Sequence, residues 1–159
     1  ENKENFLVQI ANDNSVGQIV LSGSNDNLNK LADVLKLNNI KFIKLPVSAP
    51  FHCSLMNKAT KIMREEIEKS LFENGKNILI SNVTADEISN KDQLKKLLID
   101  QIENRVRWRE SVINMINKGV NHFIEIGPGK VLSSLVKRID KSVKINSINS
   151  ESDIQELKI

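Results

Sequence analysis

Short apolar runs separated by turn formers open the chain. Phe6-Leu7-Val8-Gln9-Ile10 and Gln18-Ile19-Val20-Leu21-Ser22 are β-prone, and Asn12-Asp13-Asn14-Ser15-Val16-Gly17 between them is rich in turn formers. The pair therefore reads as a hairpin or a sharp connection. Ser24 or Asn25 is placed to cap a helix in which Leu28, Leu31, Ala32 and Leu35 recur at i, i+3, i+4 and i+7. Asn38-Asn39 should end it, and Lys41-Phe42-Ile43-Lys44-Leu45 alternates like a half-buried strand. The first 45 residues thus predict strand, strand, helix, strand.

Pro46 and Pro50 frame Val47-Ser48-Ala49, which must be extended just before each proline. From Ser54 an amphipathic helix is expected, with Met56, Ala59, Met63, Ile67 and Leu71 on one side and Asn74-Gly75 as its stop. Ile78 to Val83 reads as a buried strand. Leu94, Leu97, Leu98 and Ile102 mark one helix, and Trp108, Val112, Met115 and Ile116 another that ends at Gly119. Val120 to Ile126 is the next strand, Gly127-Pro128-Gly129 turns into a helix carrying Val131, Leu132, Leu135 and Val136, and Val143 to Ile148 is a last strand. A further helical turn spans Asp153 to Leu157. From residue 78 onward strands alternate with helices, which argues an α/β layer with parallel strands. About three such strands make a poor sheet alone, since open sheets usually hold about four to six. The chain reads as part of a larger unit.

Composition narrows the classes. Of 159 residues, 40% are hydrophobic and 27% charged, enough for a packed core with a solvated outside. The single Cys53 excludes an internal disulfide. No apolar run approaches the roughly 20 residues that cross a bilayer, and the polar start, Glu1 to Asn5, is no secretory signal. Neither a membrane nor nucleic acid is expected as a partner. The net charge of +3 is spread along the chain, and aromatics are only 4%, so a basic, base-stacking surface is missing. A modest positive balance suits an anionic ligand or an acidic carrier protein.

Val47-Ser48-Ala49-Pro50-Phe51-His52-Cys53-Ser54-Leu55-Met56 is the densest segment for chemistry. A proline-framed loop presents His52 just ahead of a helix, which is one way to restrict an imidazole that moves protons. The same residue would also serve as a packing or capping histidine at a helix start. Cys53 beside it reads as a small buried hydrophobe rather than a nucleophile, because catalytic pairs meet in space and not in sequence. His52 and His122, the only histidines, lie far apart with no ligand cluster, so no metal is expected. Gly127-Pro128-Gly129-Lys130 could offer backbone N–H groups to a phosphate. It lacks the glycine spacing of a dinucleotide motif or P-loop, and a tight strand-to-helix reversal explains it better.

Four segments together carry a resemblance. Ser48-Ala49-Pro50-Phe51-His52-Cys53-Ser54-Leu55-Met56, Gly17-Gln18-Ile19-Val20-Leu21-Ser22-Gly23, Val106-Arg107-Trp108-Arg109-Glu110-Ser111-Val112 and Glu125-Ile126-Gly127-Pro128-Gly129-Lys130-Val131-Leu132 resemble segments of malonyl-CoA:acyl carrier protein transacylases, in family order. The resemblance implies an enzyme that moves malonyl from coenzyme A to the phosphopantetheine thiol of acyl carrier protein through a serine ester, in fatty acid biosynthesis. On this reading His52 matches the general base, and Gln101 the position whose main-chain carbonyl holds the histidine ring. Asn12 and Asn14 match an asparagine-rich turn beside the active-site cleft. Phe51 matches the residue of malonyl-selective relatives, where a bulky ring leaves less room for an α-methyl group. No cofactor or metal is implied; malonyl-CoA and acyl carrier protein are substrates, and the setting is cytoplasmic.

The family's Gly-His-Ser-x-Gly nucleophile turn does not occur in these residues, nor do its glutamine motif and malonyl-binding arginine. The resemblance therefore implies the C-terminal half of such an enzyme, inactive alone. Residues 1–46 would be part of a ferredoxin-like small subdomain, reduced to ββαβ, and residues 47–159 the distal part of an α/β-hydrolase-like large subdomain. Apolar faces should then need the N-terminal half, or self-association, to cover them. The alternatives are the matching portion of a polyketide synthase acyltransferase and a non-catalytic remnant that binds carrier protein.

Overall fold

The computed structural model describes residues 7–88 and 90–157. Phe6 of the first expected strand lies outside them, as does the run Glu1 to Asn5. The fold is mixed α/β, in the order β1 (Val8–Ser15), β2 (Gln18–Gly23), α1 (Asn25–Leu37), a 3-10 turn (Ser54–Met56) leading into α2 (Asn57–Lys69), α3 (Lys91–Asp100), α4 (Trp108–Asn117), β3 (His122–Ile126), α5 (Val131–Ile139), β4 (Lys144–Ile148) and α6 (Glu151–Glu156).

β1 and β2 form an antiparallel hairpin that turns at Val16-Gly17. Gly17 sits at φ +75°, a conformation that suits glycine. The expected loop at residues 12–17 is shorter than its composition suggests: Asn12, Asp13, Asn14 and Ser15 continue β1. Register shifts between Ile10 and Asn12 and between Asp13 and Ser15 absorb these poor strand formers as bulges. Ser24 caps α1 as expected, its hydroxyl accepting from Asn27 N at 3.3 Å.

Lys41 to Leu45 is not a strand. Its residues are exposed, and among the described residues no strand lies beside it to take its backbone groups, so the alternation has nothing to pair with. Ile78 to Val83 likewise contributes only an isolated bridge, Ile80 to Glu87. The parallel layer therefore holds two strands rather than three: β3 and β4, joined through α5 and paired from His122 opposite Lys144 to Ile126 opposite Ile148.

α2 ends at Lys69, short of Asn74-Gly75, because Ser70 turns extended and both its N–H and its hydroxyl donate to Glu66 O, at 3.1 and 2.8 Å. Leu71 thus falls outside the helix. Lys95 of α3 donates to Glu68 O at 3.0 Å and lies over the Phe72 ring. Asn74 Oδ1 accepts from Lys91 N, so the expected helix stop instead helps to start α3. Ile102 lies beyond the end of α3, whereas Gly119 ends α4 at φ +95° as expected.

The core is small. Ala11, Cys53, Ala85, Leu97, Ile99, Val112, Leu135, Val136 and Ile148 are buried, while Phe42, Leu45, Leu55, Leu79, Ile126 and Val131 are exposed. Val112, with no exposed surface, is the packing centre where α4 meets its neighbours. Val112→Ala should lower stability by about 2 kcal/mol, two methyl-sized groups plus the cavity they leave, measured by urea unfolding.

Candidate active site

His52 projects from the proline-framed loop with its backbone at φ +58°, a left-handed conformation uncommon outside glycine. Three contacts hold the loop there. Phe51 N donates to Ala49 O at 3.0 Å, and the Cys53 thiol donates to Pro50 O at 3.1 Å, which explains why this cysteine is buried beside a half-exposed histidine. Ser54 donates from both its backbone N–H and its hydroxyl to Gln9 Oε1 of β1, at 2.7 and 2.9 Å.

The ring finds its partner on a different element. His52 Nδ1 lies 2.8 Å from the main-chain carbonyl oxygen of Gln101. A carbonyl only accepts, so Nδ1 carries the proton, and whenever the ring is neutral Nε2 is the acceptor nitrogen. Gln101 is the C-cap of α3, where carbonyls lack intrahelical partners and carry the negative end of the helix dipole. Its backbone N–H still bonds Leu97 O at 3.0 Å.

The segment after Gln101 is stitched on both sides. Val106 N donates to Ala11 O at 2.8 Å, Asp13 N donates to Val106 O at 2.9 Å, and Arg107 N donates to Asn82 O at 2.8 Å. Asn82 Nδ2 also reaches Gln101 Oε1 at 3.4 Å. Arg109, the second residue of α4, grips Asp13 through Nε and Nη2 at 3.0 and 2.7 Å. The Arg109 hydrogen bonds hold the Asp13 carboxyl below its ordinary value, against the opposing effect of burial. Arg107 pairs with Glu110 and donates to Thr84 O, fixing the start of α4.

The structure brings His52 and Gln101 together and leaves Phe51, next in the chain, half exposed at the loop tip. Asn12 and Asn14 stand in β1 and not in a turn; Asn12 joins the Gln101 side through its main-chain bridge to Val106. Gln9, Asn82 and the Asp13–Arg109 pair carried no sequence signal, because their partners lie 45, 19 and 96 residues away.

The Gly127-Pro128-Gly129 turn is not an open phosphate cradle. The Glu125 carboxylate accepts from Leu132 N and Ser133 N at 3.0 and 2.7 Å, Asn149 Oδ1 accepts from Gly129 N, and Ile148 O accepts from Gly127 N. Burial raises the Glu125 carboxyl, but the Ser133, Leu132 and Val131 hydrogen bonds outweigh it and leave its pKa lowered. An anion already occupies the start of α5, and it belongs to the protein. Ser24, Ser133 and Ser134 are likewise committed, to the α1 cap, to Ser147 Oγ and to Lys130 O. Among the described residues no His, Cys, Asp and Glu group forms a metal-binding cluster, and no helix is long and apolar enough to cross a membrane.

No protein-family model matches the chain. Among curated proteins it is 40% identical over 154 residues to the malonyl CoA-acyl carrier protein transacylase of Bacillus subtilis (strain 168), covering 96% of this chain and 49% of that one. The chain is homologous to malonyl-CoA:acyl carrier protein transacylases. It spans about half the length of the curated transacylases it matches. The crystal structure of an acyl carrier protein S-malonyltransferase from Vibrio cholerae superposes with a TM-score of 0.90 at 34% identity, covering 95% of this chain and 50% of that one. A malonyl-transacylase solved in complex with its type II polyketide synthase acyl-carrier protein gives 0.88 at 31% identity, covering 93% and 48%. Two transacylase structures of this kind therefore share the fold of almost all of this chain.

Because the Asp13 carboxyl is held below its ordinary value, its stabilising contribution is complete above the unfolded value near 3.9 and is lost as pH falls through the lower folded value. Asp13→Asn should cost about 1–3 kcal/mol at neutral pH and flatten that acid limb, read from urea midpoints across pH 2–6.

Proposed function

We propose that this chain is the histidine-bearing, C-terminal half of a malonyl-CoA:acyl carrier protein transacylase of fatty acid biosynthesis, and that it works with an N-terminal half carrying the serine. The observation that carries this reading is the 2.8 Å bond from His52 Nδ1 to the Gln101 carbonyl, the arrangement a general base needs when no carboxylate orients it. Homology to the transacylases and the absence of a Gly-His-Ser-x-Gly turn from these residues support it further.

The chemistry runs through Nε2. His52 takes the proton of the serine hydroxyl as its oxygen attacks the malonyl thioester carbonyl, and the tetrahedral intermediate collapses with cleavage of the C–S bond. The imidazolium returns the proton to the departing coenzyme A thiolate. His52 then takes the proton of the phosphopantetheine thiol, whose sulfur attacks the serine ester, and the serine oxygen leaves with that proton. The Gln101 carbonyl holds the Nδ1–H throughout. Phe51, at the tip of the same loop, narrows the acyl pocket, and Asn12 and Asn14 line its edge. Residues 1–46 belong to the small subdomain and residues 47–159 to the large one, and the exposed apolar side chains are where the N-terminal half packs. A second reading, transfer to a polyketide carrier, is favoured by the relative solved with such a carrier protein, and parallel assays with both carriers separate the two.

The test mixes the purified chain with the complementary half of the Bacillus subtilis relative and follows malonyl transfer from malonyl-CoA to holo acyl carrier protein. Transfer should need both pieces, and His52→Ala should reduce it by about 10²–10⁴-fold. Transfer that is indifferent to His52→Ala, or equally fast with the chain alone, would sink the proposal. In the same assay Phe51→Ala should raise methylmalonyl transfer relative to malonyl by about tenfold or more, as a competition experiment would show.

A further inference from the structure

We infer that Gln9 is a positioning residue for His52, and that β1 acts as a strut setting the histidine loop against the Gln101 carbonyl. The inference rests on the proposed role of His52, although its test reads the ring itself and not the transfer reaction.

The 3-10 turn that follows His52 and leads into α2 has no side-chain cap of its own. Cys53, its N-cap, makes no side-chain capping bond, and its thiol points back to Pro50 O. The first free N–H of that turn, on Ser54, is satisfied from another element by Gln9 Oε1 at 2.7 Å, and the same oxygen accepts the Ser54 hydroxyl at 2.9 Å. A backbone N–H can only donate, so the carboxamide must present its oxygen here, and its orientation is fixed by chemistry. Ser54 is two residues from His52, whose φ of +58° has to be maintained by its surroundings.

The middle of β1 holds the segment that follows the acceptor. The register shift between Ile10 and Asn12 leaves Ala11 without a partner in β2, and its carbonyl takes Val106 N at 2.8 Å, while Asp13 N donates to Val106 O. Val106 follows the turn that begins at Gln101. Residues 9 and 11–13 of one strand thus bind Ser54, two residues after the base, on one side and Val106, five residues after the orienting carbonyl, on the other, over about 13 Å of extended backbone. An extended strand is stiff, so the 2.8 Å bond between His52 and Gln101 is held from both ends.

The experiment records ring ¹⁵N–¹H correlation spectra of the chain, with His52→Ala assigning the signals. Wild type should show a His52 ring protonated at Nδ1 with a slowly exchanging Nδ1–H. Gln9 is solvent exposed, so Gln9→Ala and Gln9→Met remove the acceptor without opening the core. Both should exchange the Nδ1–H at least about tenfold faster or lose its signal, at an unchanged far-UV CD spectrum. Gln9→Glu keeps the acceptor and should restore it. A wild-type signal in either Gln9→Ala or Gln9→Met overturns the inference, as does equal loss in Gln9→Glu. Failure of malonyl transfer in the mixing assay would count against the proposed function and leave this readout standing.

Discussion

One hydrogen bond organises the site: the imidazole N–H of His52 meets a carbonyl that α3 cannot use internally. Both partners are awkward to place. The histidine occupies a left-handed backbone conformation in a loop broken by prolines, and the carbonyl sits at a helix end where the chain turns away. Their separation is set by what lies around them. β1 reaches the histidine loop through Gln9 and the acceptor segment through Ala11 and Asp13, while Asn82 closes the far side and Arg109 locks Asp13 in place. A ring held in one tautomer offers the other nitrogen to a proton at little reorganisation cost.

The same economy recurs at the helix ends. The 3-10 turn before α2 is started by Gln9, α2 is finished by Lys95, α3 receives a bond from Asn74 as well as from its own Asn90, and α5 is capped by Glu125 from β3. Local capping residues suffice at α1 and α6, where Ser24 and Ser150 act alone or in a capping box. Where the cap comes from elsewhere, it also ties two elements together. These polar ties carry much of the architecture, because the buried apolar set is small and made largely of small side chains.

The exposed apolar residues and the site belong to one picture. Phe51 stands at the histidine loop tip, and Leu55 follows it on the next turn, both facing outward. A loop that offers a base and an apolar side chain together is suited to receive a reacting group and a hydrophobic neighbour. The chain spans about half the length of its transacylase relatives, and the Ser24, Ser133 and Ser134 hydroxyls are each engaged in local bonds. A general base needs a nucleophile within reach of its ring, and in the proposed function the second half supplies it.

Much of this was legible in the residues. The hairpin, the Ser24 cap, α4 with its Gly119 stop, the parallel β3–α5–β4 unit and the His52–Gln101 pairing all followed from periodicity, from local caps or from the resemblance. Periodicity reports which face a side chain wants to show, and caps act within three or four residues, so both survive in a linear reading. What failed was whatever needed a neighbour. Lys41 to Leu45 and Ile78 to Val83 have strand patterns, yet a strand exists only when another backbone lies alongside. Asn12 to Ser15 have turn composition, yet bulges and pairing with β2 and Val106 keep them in β1. The sequence by itself determined the hairpin, the helices and the β3–α5–β4 unit, and it marked His52 as the candidate base. Only the tertiary structure decided what surrounds the His52–Gln101 pair, because Gln9 meets Ser54 and Val106 meets Ala11 and Asp13 through long-range contacts that no local pattern encodes.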